Sequence, residues 1–177
     1  MLWGRMPIER ATALTYYHPG AYSSLLMYKL KYGNEPDIGV WLGEYMANSL
    51  MPYGVFDDID MVIPLPIHKR RERERGYNQS QEIARGIGDI SSIKVQNNIV
   101  ERSRYTVSQT KLTHTDRTKN VKGAFTLLRP DAIRGKHVLL VDDIITTGAT
   151  IAACANELAK AEDVKISIMT VGRTHYI

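Results

Sequence analysis

Apolar residues recur with two different spacings along the chain, and these spacings predict helices that alternate with short strands. An apolar residue at every third or fourth position predicts a helix with one buried face. This pattern occurs at four places: Tyr22, Leu25, Leu26 and Leu30 before Gly33; Leu42, Tyr45, Met46 and Leu50 before Pro52; Ile83, Ile87 and Ile90 after Asn78, a residue suited to cap a helix; and Ile151, Cys154, Ala155, Leu158 and Ala159. Short apolar runs predict strands at residues 60–64, 137–141 and 164–171, and we expect a further strand within residues 121–128.

The order of these elements predicts the fold class. Strands that alternate with helices favour an α/β fold, in which a central, mostly parallel sheet is flanked by helices. No stretch has the composition of a linker, so we predict that residues 1–177 form a single domain. Residues 1–15 are then an N-terminal lead-in, and the polar residues 101–120 are a flexible loop.

Two adjacent carboxylates and a turn rich in threonine follow the strand predicted at residues 137–141. Asp142 and Asp143 stand at the carboxyl end of that strand, where open α/β sheets bind ligands. The turn opens a helix and consists of Thr146, Thr147, Gly148, Ala149 and Thr150. Hydroxyl groups and free amides at a helix start bind phosphate, and a glycine there lets the backbone approach a ligand closely.

This arrangement predicts a site for a sugar phosphate. A vicinal ribose diol needs two nearby acceptors, and two carboxylates supply them through charge-assisted hydrogen bonds. The alternative interpretation is a strand that ends in two solvated acids before an ordinary turn.

A basic segment at residues 68–77 follows the strand predicted at residues 60–64. We interpret it as a loop that is closed by Gly76 and that contains the cations Lys69, Arg70, Arg71, Arg73 and Arg75. The planar fork of arginine suits phosphate and pyrophosphate, so this loop is a candidate pyrophosphate site. The alternative is a solvated run of charges joined by Arg–Glu pairs.

The polar segment at residues 101–120 is a candidate lid. It contains the cations Arg102, Arg104, Lys111, Arg117 and Lys119. A loop of this kind can close over an anionic ligand and exclude water. The alternative is a flexible surface loop without a function.

Composition narrows the classes of protein that the chain can represent. Hydrophobic residues make up 44% of its 177 residues, and the net charge of +4 favours an anionic ligand without requiring nucleic acid. No apolar run is long enough for a membrane helix, and the first residues lack the apolar stretch of a signal peptide, so we expect no membrane partner. The single cysteine, Cys154, excludes an intrachain disulfide and a cysteine-rich zinc site; we expect a core residue in a cytoplasmic protein.

Three segments resemble a known family. VLLVDDIITTGAT resembles the loop with which type I phosphoribosyltransferases bind 5-phosphoribosyl-1-pyrophosphate (PRPP). Together with PLPIHKRRERERGYNQS and RSRYTVSQTKLTHTDRTKNVKGAF, in this order, it resembles the ComF family, a bacterial branch named for competence and DNA uptake. The tetrapeptide Lys29–Tyr32 also matches that family, and the resemblance extends from about Tyr16 to Arg173.

The resemblance implies a fold, a ligand and a reaction. It implies the type I phosphoribosyltransferase fold, PRPP bound with Mg²⁺, and transfer of the phosphoribosyl group to an unidentified nitrogen acceptor. Asp142 and Asp143 would hold the ribose hydroxyls, stabilise the charged ring and hold Mg²⁺ indirectly, through ribose or water. The other implied roles are 5′-phosphate binding by Thr146, Thr147, Gly148, Ala149 and Thr150, pyrophosphate binding by Arg71, Arg75 and Gly76, and catalysis by Arg104, Lys111 and Arg117.

Two features of the wider family are missing from these residues. Many ComF-like proteins begin with a four-cysteine zinc ribbon, which is not found here, so we expect either a short form or a chain that begins after the ribbon. The glutaminase domain of amidophosphoribosyltransferases is missing as well, which argues against glutamine-dependent amination.

Two other functions remain open at this point. One is a protein that binds PRPP without catalysis, as a regulator or a scaffold. The other is a nucleic-acid module of DNA uptake that uses the cations of residues 69–75. We favour the nucleic-acid module less, because the net charge is modest and only Tyr77 accompanies those cations as a stacking aromatic. The acceptor is not identified, and an oligomer is compatible with the sequence.

Overall fold

A four-stranded parallel sheet forms the centre of the protein, whose computed structural model describes residues 6–18, 22–104, 121 and 123–174. In chain order its elements are β1 (Arg10–Tyr16), α1 (Tyr22–Tyr32), α2 (Asp37–Leu50), β2 (Met61–Pro64), α3 (Lys69–Arg75), α4 (Gln79–Ser91), β3 (Val100–Arg102), β4 (Phe125–Leu127), β5 (His137–Ile145), α5 (Ala149–Leu158) and β6 (Lys165–Arg173). Short 3₁₀ turns lie at Met51–Tyr53 and Pro130–Ala132. The strand order in the sheet is β1–β6–β5–β2, and all three pairings are parallel. The predicted α/β fold with a mostly parallel sheet is therefore confirmed.

The core has two layers, one on each face of the sheet. Neighbouring side chains of β5 alternate between them, as the pleat of a strand requires. Val138 and Leu140 pack with α5, whereas Leu139 and Val141 pack with helices α1, α2 and α4. Because both faces are covered, the strand is apolar at successive positions, which is the pattern that predicted it.

The predicted helices and the role of Cys154 agree with the structure. Helix α4 begins after Asn78, whose side-chain oxygen accepts a hydrogen bond from the amide of Ser80 at 3.1 Å. Cys154 is fully buried in the core, and burial raises the pKa of its thiol. None of the helices in the described part of the chain has the length and apolarity that crossing a bilayer requires.

The basic segment predicted as a loop is a short helix. Helix α3 is capped by His68, whose Nδ1 accepts a hydrogen bond from the amide of Arg70 at 3.1 Å, and it ends at Gly76 with a positive φ of 84°. Within it, Arg70 and Glu74 form an ion pair at a separation of 2.9 Å, one helical turn apart. The helix has no buried residue, and so the apolar spacing that reveals other helices is missing here.

Three strand boundaries also differ from the prediction. The lead-in at residues 1–15 contains β1 from Arg10, which pairs with β6 at the sheet edge. The segment at residues 101–120, predicted as a loop, begins inside β3, which pairs antiparallel with β4. The strand expected within residues 121–128 is limited to the three residues of β4. Strand β5 continues to Ile145 because its pairing with β6 extends to Ile145 and Arg173, so both aspartates lie within the strand and not after it.

Candidate functional site

A cavity of about 350 Å³ opens at the carboxyl end of the sheet. Its lining comes from strand β5, the turn after it and helix α5. Residues of α1, α3, α4 and β3 and of the segments that follow β1 and β2 complete it. Parallel strands present their carboxyl ends at one edge, which explains why segments distant in sequence meet there.

The two carboxylates in the cavity have different partners. An oxygen of Asp142 accepts hydrogen bonds from the Ser80 hydroxyl at 3.1 Å and from the backbone amide of Asp143 at 2.8 Å. Asp143 is buried, and its Oδ2 lies 2.7 Å from Nζ of Lys31. Its other oxygen accepts a hydrogen bond from the amide of Ile144 at 2.6 Å. Each aspartate therefore has a fixed orientation in the cavity.

Burial and neighbouring charges change the pKa values of Asp142 and Lys31. Burial, followed by the negative charge of Asp143, raises the pKa of Asp142 to about 7, although Lys31 and Ser80 oppose the shift. Burial alone would lower the pKa of Lys31, but the charge of Asp143 and its hydrogen bond outweigh burial, so the pKa of Lys31 is raised. Lys31 is therefore a firmly protonated counter-ion beside the carboxylate pair.

The turn at residues 146–150 lines the same cavity as these carboxylates. Gly148 adopts φ 75° and ψ −3°, a left-handed conformation that side chains disfavour, and this turn directs the chain into α5. The amide of Ala149 donates to the Thr147 hydroxyl at 3.4 Å. The first amides of α5 have no acceptor within the helix, so hydroxyl and amide donors are concentrated here.

Two cations of α3 line the cavity, and the others on that helix do not. Arg71 and Arg75 contribute to the lining, and Arg75 donates from Nη1 to the Gln79 side-chain oxygen at 2.8 Å. The Arg75 guanidinium also lies 5.5 Å from the ring centroid of Tyr32. Gly76 ends the helix and lies outside the lining. Helix α3 thus presents two arginines on one face to the cavity.

Several site residues were not predicted from the sequence. Lys31, Tyr32, Ser80 and Gln79 line the cavity, as does Arg102, whose pKa is lowered by burial and by Arg71. Lys31 and Tyr32 carried a signal in the tetrapeptide Lys29–Tyr32, and Arg102 was predicted as a cation of the candidate lid, whereas Ser80 and Gln79 carried none. The lining therefore holds four cations, Lys31, Arg71, Arg75 and Arg102, against two carboxylates, a balance that suits an anionic ligand.

Of the two predicted lid cations that the structure describes, Arg102 lines the cavity and Arg104 does not. Arg104 is exposed after β3 and lies outside the lining. Lys111 and Arg117 fall at residues 105–120, outside the described residues, so their roles stay predictions.

The donors in the cavity fit Mg²⁺ and not a metal held by protein alone. The described residues contain no group of three or more His, Cys, Asp or Glu side chains that could hold a metal ion. Mg²⁺ usually binds one or two carboxylates together with waters and substrate phosphates. Asp142 and Asp143 supply that number of carboxylates next to a cavity that suits an anion.

Comparison with known proteins identifies similar chains. The family model for the phosphoribosyl transferase domain matches residues 73–173. The DNA utilization protein YhgH of Escherichia coli is 27% identical over 171 residues, which are 95% of this chain and 74% of that protein. Competence protein F of Haemophilus influenzae is 37% identical over 102 residues, 57% of this chain and 43% of that protein. Competence protein ComFC of Bacillus subtilis is 31% identical over 110 residues, 59% of this chain and 41% of that protein.

The fold is also found in solved structures. The glutamine PRPP amidotransferase of B. subtilis aligns with a TM-score of 0.51 and 20% identity, covering 80% of this chain and 30% of that chain. At this identity the likeness concerns the fold alone.

Proposed function

Because this chain belongs to the phosphoribosyl transferase domain family and is a ComF-like member of its type I branch, we propose that it binds PRPP with Mg²⁺ and transfers the phosphoribosyl group to a nitrogen acceptor. One observation carries the proposal. A single cavity combines a carboxylate pair, a donor-rich turn at a helix start and two arginines of α3.

Each part of PRPP has a chemically suitable partner in this cavity. Asp142 and Asp143 accept hydrogen bonds from the ribose hydroxyls. The turn at residues 146–150 donates to the 5′-phosphate, helped by the dipole of α5. Arg71 and Arg75 bind the pyrophosphate on C1, and Gly76 ends the helix that carries them.

In the proposed reaction, the lone pair of the acceptor nitrogen forms a bond to C1 of the ribose. The bond between C1 and the pyrophosphate oxygen breaks, and its electron pair leaves with pyrophosphate. Positive charge develops on the ring, and the two aspartates stabilise it. Arg71 and Arg75, together with the predicted lid residues Arg104, Lys111 and Arg117, neutralise the leaving group. Mg²⁺, held by Asp142 and Asp143 through ribose or water, supplies further neutralisation of the pyrophosphate when bound.

A second candidate is a regulator or scaffold that binds PRPP without turnover. The names of the relatives favour it, because they refer to DNA utilization and competence and not to a transfer reaction. A link to DNA uptake is compatible with both candidates. Direct nucleic-acid binding through α3 is less favoured, since two of its cations face the cavity. A cytoplasmic location stays a prediction.

Thermal unfolding with PRPP and Mg²⁺ tests the binding site. Ligand at 100 times its dissociation constant adds about 2.7 kcal/mol to stability, which is a rise of about 5–10 °C for a domain of this size. We expect Asp143→Asn to weaken PRPP binding by about 1.5–3 kcal/mol, the contribution of a hydrogen bond to a charged group. Asp131→Asn, at an exposed aspartate paired with Arg134, is the matched control and keeps the full shift. A wild-type protein without any shift at millimolar PRPP would contradict the proposal.

A turnover assay separates the two candidates. Pyrophosphate release is measured with PRPP, Mg²⁺ and a panel of nucleobases and amines. Release that depends on one acceptor and is lost in Asp143→Asn identifies a transferase. A clear thermal shift with no release for any acceptor favours the regulator.

A further inference from the structure

Lys31 forms an ion pair with Asp143, a carboxylate that the proposed function assigns to the ribose hydroxyls. Its ammonium lies 2.7 Å from Oδ2 of Asp143, and both side chains are largely buried, with exposed fractions of 26% and 12%. Lys31 also lines the cavity itself. A ribose hydroxyl that binds this oxygen therefore competes with a buried ion pair.

The end of α1 is anchored, so Lys31 cannot follow a moving helix out of the cavity. The hydroxyl of Tyr77 donates to the carbonyl oxygen of Leu30 at 2.6 Å. On the other side of Lys31, the ring of Tyr32 lies beneath the Arg75 guanidinium. Contacts at both neighbouring residues thus hold the backbone of Lys31 beside the cavity.

Displacement of Lys31 from Asp143 has a consequence for the ligand. A buried ammonium without an anionic partner is strongly unfavourable. The displaced ammonium therefore requires a new anion. Asp142, the other carboxylate of the cavity, is assigned to the ribose as well, so the new anion has to come from the ligand. In a phosphorylated ribose, a group on C1 adjoins the hydroxyl on C2, whereas the 5′-phosphate is held at the turn of residues 146–150.

We propose that Lys31 is a specificity-determining residue, which makes binding of the ribose at Asp143 conditional on an anionic group at C1. The inference rests on the proposed function and deepens it. PRPP carries pyrophosphate at C1 and gives Lys31 a new partner. Ribose 5-phosphate has the same diol and the same 5′-phosphate but only a hydroxyl at C1, so it is bound much more weakly.

The test compares the dissociation constants of PRPP and ribose 5-phosphate by calorimetry, in the presence of Mg²⁺. We expect the preference of the wild type for PRPP to fall at least tenfold in Lys31→Met, since the variant has no ammonium that needs an anion. Affinity for PRPP decreases there, and affinity for ribose 5-phosphate is equal or higher. Lys31→Arg keeps the cation and retains most of the preference.

Lys29→Met is the matched control, because it lies on the same helix. Lys29 is half-exposed and lies 3.5 Å from Glu35, away from the carboxylate pair. Its substitution leaves the preference unchanged. A second variant, Lys31→Met/Asp143→Asn, removes both ends of the ion pair and avoids an unpaired buried charge if Lys31→Met alone does not fold. Its preference for PRPP is lower than that of Asp143→Asn, in which the ammonium remains.

The outcomes distinguish this inference from the function on which it rests. If the wild type binds neither ligand, the proposed function fails. If the wild type binds PRPP and ribose 5-phosphate equally, or if Lys31→Met folds and keeps the full preference, PRPP binding stands and the role of Lys31 is refuted.

Discussion

Asp142 and Asp143 are neighbours in the chain, but their surroundings give them different chemistry. Asp143 has a lysine as its counter-ion, whereas Asp142 is held by a hydroxyl and an amide, which compensate its charge less completely. These partners do not offset burial and the neighbouring charge of Asp143, which together raise the pKa of Asp142 to about 7. Asp142 thus titrates near neutral pH, and the site loses a negative charge when it is protonated.

The first prediction concerns the effect of this carboxyl on stability. Because its pKa in the folded protein exceeds the value of about 3.9 for an unperturbed aspartate, the folded state binds the proton more tightly than the unfolded state. Asp142 therefore opposes folding increasingly as the pH rises from about 4 to about 7. We expect Asp142→Asn to be more stable than the wild type by about 1–3 kcal/mol at pH 8. This range is smaller than the full pKa difference implies, because the side chain is partly exposed and solvent screens its charge.

Urea unfolding at pH 4, 6 and 8 checks this expectation. The difference between Asp142→Asn and the wild type shrinks toward zero at pH 4, where the carboxyl is protonated in the folded protein. Asp89→Asn, at an exposed position of α4, is the control and shows no such trend. An equal difference at all three pH values would refute the assignment.

At the residue scale, the cavity residues that could be predicted are those that lie next to one another in the sequence. Asp142, Asp143 and the turn at residues 146–150 are contiguous, so the local pattern alone indicates that they lie together. Lys31, Ser80 and Arg102 come from three other segments, and they reach the cavity only through the packing of α1, α4 and β3. No local spacing encodes that packing. Lys31 was therefore indicated only through the family resemblance and Arg102 only as a cation of the candidate lid, and Ser80 carried no signal.

At the scale of elements, helices α2 and α4 cross with their backbones in contact. A Cβ atom added to Gly43 would lie 2.1 Å from the carbonyl oxygen of Ile83, and one added to Gly86 would lie 2.1 Å from that of Val40. Real Cβ atoms do not approach so closely, so both positions require glycine. The crossing fixes α4, which carries Ser80 to its hydrogen bond with Asp142.

The second prediction is that Gly86→Ala destabilises the protein. Alanine is the better helix former by about 1 kcal/mol, but the clash with the α2 backbone outweighs that gain. We expect a net loss of about 2–4 kcal/mol, as for overpacking in a dense core. Gly172→Ala is the matched control, because its nearest neighbours lie 3.5 Å away. A Gly86→Ala protein as stable as the wild type in urea unfolding would contradict this account of the crossing.

Helices with an apolar face were predictable, and α3 was not. The spacing of Ile83 and Ile87 reveals α4 because both side chains are buried. Helix α3 has only seven residues, and its order depends on the His68 cap, the left-handed Gly76 and an Arg–Glu pair. Such local contacts leave no apolar periodicity, so a charged helix resembles a loop in sequence.

At the scale of the whole molecule, the two ends of the sheet differ: one carries the cavity, and the other carries polar contacts that connect neighbouring strands. The cavity lies at the carboxyl end, and a polar cluster around His137 lies at the amino end of β5. Nδ1 of His137 lies 3.1 Å from Oδ2 of Asp58, and Nε2 of His137 lies 2.8 Å from Oγ of Ser167. The backbone amide of His137 donates a hydrogen bond to the Asp60 side chain at 2.8 Å. This cluster connects β5 to β6 and to the turn before β2.

The last prediction separates stability from ligand binding along this axis. His137 and Asp143 are six residues apart on one strand, roughly 20 Å at about 3.3 Å per residue, so we expect their substitutions to act independently. His137→Ala leaves the buried Ser167 hydroxyl without its partner and lowers the free energy of unfolding by about 1–3 kcal/mol. Each kcal/mol lowers the unfolding temperature by about 2–4 °C. The shift of His137→Ala in unfolding temperature with PRPP equals that of the wild type. Asp143→Asn also lowers the unfolding temperature without ligand, because it leaves the Lys31 ammonium without its partner, but unlike His137→Ala it reduces the shift with PRPP. If His137→Ala also lost the shift, the two ends of the sheet would be coupled, and the stabilising role of the amino end could no longer be separated from the site.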